Sequence, residues 1–214
     1  MTRFLLLIAV VCFCASCRPT VYTPKPRGYA RVELPEHAYR LFDEPGFPYS
    51  FEYPVYRRVE KDTVFFGKRP ENPYWINVIF PTLGGQFYIS YKEITPEQPL
   101  SKLIEDAHQM SFTVHSKRAD YIDESTFGSN RHVYGILYEV GGNAASSYQF
   151  IATDSVRHFL RGALYFNVTP NADSLRPVSD FLKKDLEQML GTLKWKNQRL
   201  FTSALHLIFA PPAP

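Results

Sequence analysis

VYGILYEVGGNAASSYQFIATDSVRHFLRGALYFNV, residues Val133–Val168, is the stretch that decides the fold. It contains three runs rich in aromatic and β-branched residues: Val133–Val140, Ser147–Ala152 and His158–Val168. Such residues favour the half-buried, pleated surface of a strand. Gly141-Gly142-Asn143 separates the first two runs, and Asp154-Ser155 leads into the third. Glycine, Asn and Asp supply the backbone conformations and local hydrogen bonds of tight turns. Connections this short join antiparallel neighbours, because a parallel pair needs a crossover of a dozen residues or more.

Working outward, the same grammar recurs upstream. Ile76, Val78 and Phe80 alternate, as do Phe87, Ile89 and Tyr91, with Gly84-Gly85 between them as a hairpin turn. The period then changes. Leu100, Leu103, Ile104, Ala107, Met110 and Val114 recur at three and four, which predicts an amphipathic helix after Pro96 and Pro99. Downstream, Leu175, Val178, Leu182, Leu186, Met189 and Leu193 predict a second long helix. Asp173 and Ser174 are its expected caps, and Pro177 is expected in its first turn. Pro45–Pro54 (PGFPYSFEYP) is expected as an edge strand, since proline cannot serve a central ladder. The order of strands, helix, strands, helix predicts an α+β fold, an antiparallel sheet with both long helices packed on it.

The N-terminus reads differently. Met1, Thr2 and Arg3 form a short basic start, and Phe4–Phe13 is an unbroken apolar run. As helix it would rise about 15 Å, half of a hydrocarbon core, so it is a secretory signal and not a span. Ala15 and Ser16 precede Cys17, a pattern similar to the bacterial lipobox, although Cys14 stands where an aliphatic residue is usual. The lipobox reading makes residues 1–16 a signal peptide and Cys17 the lipidation site, with palmitate among the expected acyl chains. The alternative is an ordinary signal cut after Ser16 that leaves a free thiol. All three cysteines (Cys12, Cys14, Cys17) lie in or at the leader, so the body carries no disulfide framework. Residues 17–44, with Pro19, Pro24, Pro26 and Pro35, read as a lipid-anchored extended tether. Residues 45–196 read as the single domain and 197–214 as a tail, either disordered or an added strand.

Composition excludes several functions. The formal net charge is +3, and removing the leader with Arg3 lowers it by one; there is no dense basic run, so nucleic acid is not a partner. Aromatics make up 15% of the chain, which suits both strands and protein contacts. The six histidines are scattered and no metal motif or cofactor fingerprint appears, so neither is expected. His108 and His115 are expected as a pair on the polar helix face. Ser146 or Ser147 can be drawn with Asp154 and His158 as a triad, but Asp154 and His158 belong to one turn, so no enzyme is expected. The densest polar stretch is Gly141–Arg161. Tyr148, Phe150, Asp154, Arg157, His158 and Arg161 in it read either as a partner-gripping surface or as two ordinary hairpin turns with their strands.

YTPKPRGYARVELPEHAY (Tyr22–Tyr39), PYSFEYP (Pro48–Pro54), SKLIEDAHQM (Ser101–Met110) and the Tyr134–Val168 block resemble the GldD family of gliding-motility lipoproteins of Bacteroidetes. The resemblance runs to about Trp195. It implies a membrane-anchored component or assembly factor of the gliding and type IX secretion apparatus, meeting other proteins of that machinery by contact. It implies no reaction. The element order is also similar to the Mog1/PsbP-type sandwich, a fold-level analogy. Surface-exposed lipoproteins of Bacteroidetes tend to carry acidic residues just after the cysteine, and none occurs here between Cys17 and Glu33, so the family resemblance implies a domain facing the periplasm. A second class of function, a binding module for a small molecule or lipid, would require an apolar pocket between sheet and helix.

Overall fold

The computed structural model describes residues 28, 31–64, 69–129 and 132–196. Cys17, the signal peptide, most of the tether and the tail 197–214 lie outside the described residues. The elements below belong to the unit Val32–Pro214.

Its centre is an antiparallel seven-stranded sheet. In chain order the strands are β3 (Arg58–Lys61), β4 (Ile76–Phe80), β5 (Gly85–Glu93), β6 (Ala119–Ser129), β7 (Val133–Gly142), β8 (Tyr148–Thr153) and β9 (His158–Phe166). They lie side by side as β3-β4-β5-β9-β8-β7-β6. The β4–β5 register sets Ile76 against Ile89 and Val78 against Phe87, so the alternating apolar residues share one face. Gly84 at φ 64° makes the turn between them. β8 is buried on both faces along its whole length. Its neighbours Phe150 and Ile151 belong to different hydrophobic clusters, one on each side of the sheet.

Helix α1 (Leu100–His115) covers one face, with Leu103 and Ala107 against Ile151 and Phe159. Helix α2 (Ala172–Thr192) covers the other, with Leu182, Leu186, Met189 and Leu190 in the larger cluster beside Phe150, Leu160 and Leu164. A small three-stranded sheet extends that second layer: β1 (Tyr39–Phe42), β2 (Tyr49–Pro54) and β10 (Lys194–Trp195), with β2 in the middle. Phe42, Phe47, Tyr49 and Phe51 carry the large core into it. The expected α+β architecture, an antiparallel sheet with two long helices packed on it, is the one observed.

Several expectations change in detail. Pro45–Pro54 yields a central strand, not an edge, because Pro48 and Pro54 stand at its ends and leave the ladder between them free. β1 pairs with β2 from inside the stretch read as tether; Phe42 faces Phe51. The cap of α2 is Asn171, whose side chain accepts from the Ser174 N–H at 3.2 Å. Asp173 and Ser174 are inside the helix, and Pro177 is a turn deeper than expected. On α1, Met110 is exposed, and Ser111 and His115 are buried in its place. His108 and His115 are therefore not a polar-face pair: His108 stacks on Phe112 in the open, 3.5 Å from Glu124, while His115 is only 2% exposed.

Candidate functional site

The residues read as a partner surface are not gathered on one face: of the six, Tyr148 alone lines the open groove at the head of α2. Tyr148, Phe150 and His158 are buried. Tyr148 and Phe150 belong to the large core that also contains the apolar residues of α2, and Gly162 is bare because a side chain there would strike the Phe150 ring. His158 holds the Tyr91 hydroxyl at 2.8 Å through Nδ1 and stacks on Trp195 at 5.0 Å. Burial pushes its pKa down, against the pull of Asp154. Arg161 lies on the opposite side, donating to Gln149 at 2.8 Å. Only Asp154 and Arg157 stay together, at the β8–β9 turn. There the Asp154 carboxylate accepts from the backbone N–H groups of Val156, Arg157 and His158 at 3.0, 2.8 and 2.8 Å. Burial opposes its ionisation, yet those bonds hold its pKa below the usual range. Asp154 is a turn residue.

The drawn triad is not assembled. Ser146 donates to the Tyr148 carbonyl, Ser147 accepts from Ser179, and His158 is committed to Tyr91. Among the described residues no group of His, Cys, Asp and Glu could hold a metal ion.

The open concave feature lies elsewhere, between the β6–β7 hairpin and the first turns of α2. It is a groove of about 510 Å³, and its walls include the carboxylates of Asp120, Glu139, Asp173 and Asp180. Arg176 is the basic residue in its lining. Lys183 is held by Glu139 at 2.7 Å. The groove exists because Gly142, at φ 83°, turns β7 toward the Asn143–Ser147 loop, and because Asn143 accepts from the Ala172 N–H at 2.9 Å, tying that loop to the start of α2. Exposed Tyr121 lies across Gly141, where a β-carbon would collide with its ring. An open, acidic cleft with an aromatic at its edge suits a basic polypeptide segment. By contrast, the void between α2 and the sheet, lined by Phe51, Ile89, Phe150, Leu160, Met189, Leu190 and Leu193, measures about 10 Å³. That is about the room of one water, not of a lipid or a drug-sized ligand.

A second polar cluster had no signal in the sequence. Asp185, on the buried face of α2, accepts from Tyr39 at 3.0 Å, lies 2.7 Å from His37 Nδ1, and is also bonded by the Tyr56 hydroxyl. His37 stacks on Phe181 at 4.2 Å. Burial first, and the Asp185 bond second, push the Tyr39 hydroxyl up to about 12. This latch pins the end of the presumed tether to the middle of α2.

The family model for the gliding motility lipoprotein GldD matches residues 19–195. The chain belongs to the GldD family. The matched span opens just after Cys17, closes on Trp195 of β10, and takes in both the groove and the latch. As a GldD-family member it is a lipid-anchored gliding-motility lipoprotein of the cell envelope. Among the described residues no helix is long and apolar enough to cross a membrane. A solved structure to which the chain is similar is that of cyanobacterial PsbP (CyanoP) from Synechocystis sp. PCC 6803. The identity is 13%, the coverage is 79% of this chain and 99% of that one, and the TM-score is 0.45. No curated protein matches the chain.

Proposed function

We propose that this GldD-family domain hangs into the periplasm from an acylated Cys17 and meets another protein of the gliding and type IX secretion apparatus through the acidic groove at the head of α2. The observation that carries the proposal is the lining of that groove: Asp120, Glu139, Asp173 and Asp180 converge on one open cleft in which Arg176 is the basic residue. Lys183 pairs with Glu139 at 2.7 Å and Arg176 with Asp173 at 3.5 Å, which leaves Asp120 and Asp180 without an ion-pair partner among the described residues, and a cationic segment of a partner would complement that residual negative charge. Lipid chains contribute about 0.8 kcal/mol per buried CH₂, so more than one chain gives stable anchoring. The anchor supplies location and the groove supplies contact.

The test is photo-crosslinking in living cells. A crosslinker at Tyr121, beside the groove, should capture a defined component of the gliding or secretion machinery. The same group at Arg58, an exposed position on β3, should not. Equal capture from both positions, or capture of no machinery component from Tyr121, contradicts the proposal.

A further inference from the structure

The seam between α1 and the sheet changes character halfway along. Its N-terminal half is apolar, Leu103 and Ala107 on Ile151 and Phe159. Its C-terminal half is polar, with Ser111 and His115 buried together with Tyr138 and Gln149. The Gln149 side-chain carbonyl is fully used: Ser111 Oγ lies 3.1 Å from it and Arg161 donates to it at 2.8 Å. Four buried atoms around that point have no hydrogen-bond partner: Gln149 Nε2, Tyr138 Oη, Arg161 Nε and His115 Nδ1. They come from β8, β7, β9 and α1, and the register places Tyr138 directly opposite Gln149.

The unmet groups are mostly donors. Gln149 Nε2 and Arg161 Nε can only donate, and Tyr138 Oη can. Arg161 has no carboxylate partner among the described residues. Arg161 is half-buried as a residue, but its Nε is enclosed, and an enclosed donor without an acceptor is destabilising. Glu124 stands directly opposite Tyr138 on the edge strand β6, but it is exposed and lies 3.5 Å from His108. Three strands thus leave donors unmet at one spot, one of them the Arg161 guanidinium, with His115 of α1 beside them.

We propose that this spot is a binding site for a single small monovalent anion, of chloride or formate size, held by Arg161 Nε, Gln149 Nε2 and Tyr138 Oη and roofed by α1 at His115. The anion supplies the negative charge that Arg161 lacks and fastens the C-terminal half of α1 to the sheet. The site is independent of the groove and would stand if the groove had no partner.

The probe is the anion itself, added to the full-length lipidated chain in detergent. Thermal unfolding is followed in sodium chloride, sodium formate and sodium gluconate at one ionic strength, gluconate being too large to enter. The midpoint should rise with chloride or formate concentration and stay flat in gluconate, because a ligand that binds only the native state stabilises it by mass action. A rise in formate alone supports the site and assigns it to carboxylates. Arg161→Met should abolish the anion-specific rise and Tyr138→Phe should reduce its slope. If Arg161→Met does not fold, the Tyr138→Phe slope decides. Identical midpoints in all three salts would mean that only water fills the site and would overturn the proposal, as would an undiminished slope in the folded variants.

Discussion

His37 and Asp185 are 148 residues apart in the chain and 2.7 Å apart in the fold. That contact, with Tyr39 and Tyr56 on the same carboxylate, ties the segment leading from the anchor to the helix that carries the core. Hydrogen bonds to a charged group contribute about 1.5–3 kcal/mol, and orphaning buried donors adds to the loss. Asp185→Ala should therefore lower the unfolding free energy by about 3 kcal/mol, and Tyr39→Phe by about 1. Denaturant titration of both variants checks this. An Asp185→Ala midpoint equal to that of the parent would show that the latch is ornamental.

Two buried histidines set an acid limit. Burial lowers the pKa of His158, and burial together with Arg161 lowers that of His115, each from an unfolded value of 6.5. The unfolded chain therefore takes up protons first as the pH drops. The stability is fully present above 6.5 and is lost as the pH falls from there through the depressed folded values. Unfolding free energies measured across this window should slope downward toward acid, and His158→Gln should flatten the slope. A pH-independent stability between 7 and 5 would contradict the burial of these rings.

Gly135 faces the backbone of β8. A β-carbon there would collide with the Ile151 carbonyl oxygen and with the Phe127 ring. The obstacle at Ile151 is backbone and cannot rotate away, so the strand pair must part. Gly135→Ala should cost about 2 kcal/mol or more, read from the same titrations. At Gly191, where a β-carbon meets nothing within 4 Å, alanine should be tolerated.

The anchor has its own test. Cys17→Ala should remove the acyl mass from the N-terminus and move the chain from the membrane to the soluble fraction. Mass spectrometry and fractionation read both. A Cys17→Ala chain that stays membrane-bound, with a wild type that carries no acyl group, would sink the lipidation assignment.

What could be read in advance follows from periodicity. β7, β8 and β9 were legible because they follow one another through turns with glycine, Asn and Asp, and their apolar content exceeds what a surface strand carries. β3 and β6 went unread because they are the two edges of the sheet. Their largely exposed residues (Arg58, Glu60 and Lys61; Asp123, Glu124 and Ser125) show no alternation for burial to impose. The same physics misdirected the site. β8 is buried on both faces, so Phe150, read as part of an aromatic contact surface, is core, while the largely buried Tyr148 reaches the groove wall at Asp180. The groove draws on residues from β6, β7, the Asn143–Ser147 loop and α2, and the latch joins positions at opposite ends of the domain. Sequence spacing carries no trace of either, because both arise only when the helix is laid on the sheet.

If this family member works by contact through the acidic groove, reversing the charge of the groove should stop movement. The measurement is the gliding speed of cells whose sole copy carries Asp173→Lys and Asp180→Lys, two exposed positions, with Tyr148→Phe as the control for the hydroxyl bond that Asp180 accepts at 3.5 Å. Gliding should be lost while the chain remains abundant and membrane-bound. Cells that glide at the parental speed with the groove reversed would contradict contact through the groove.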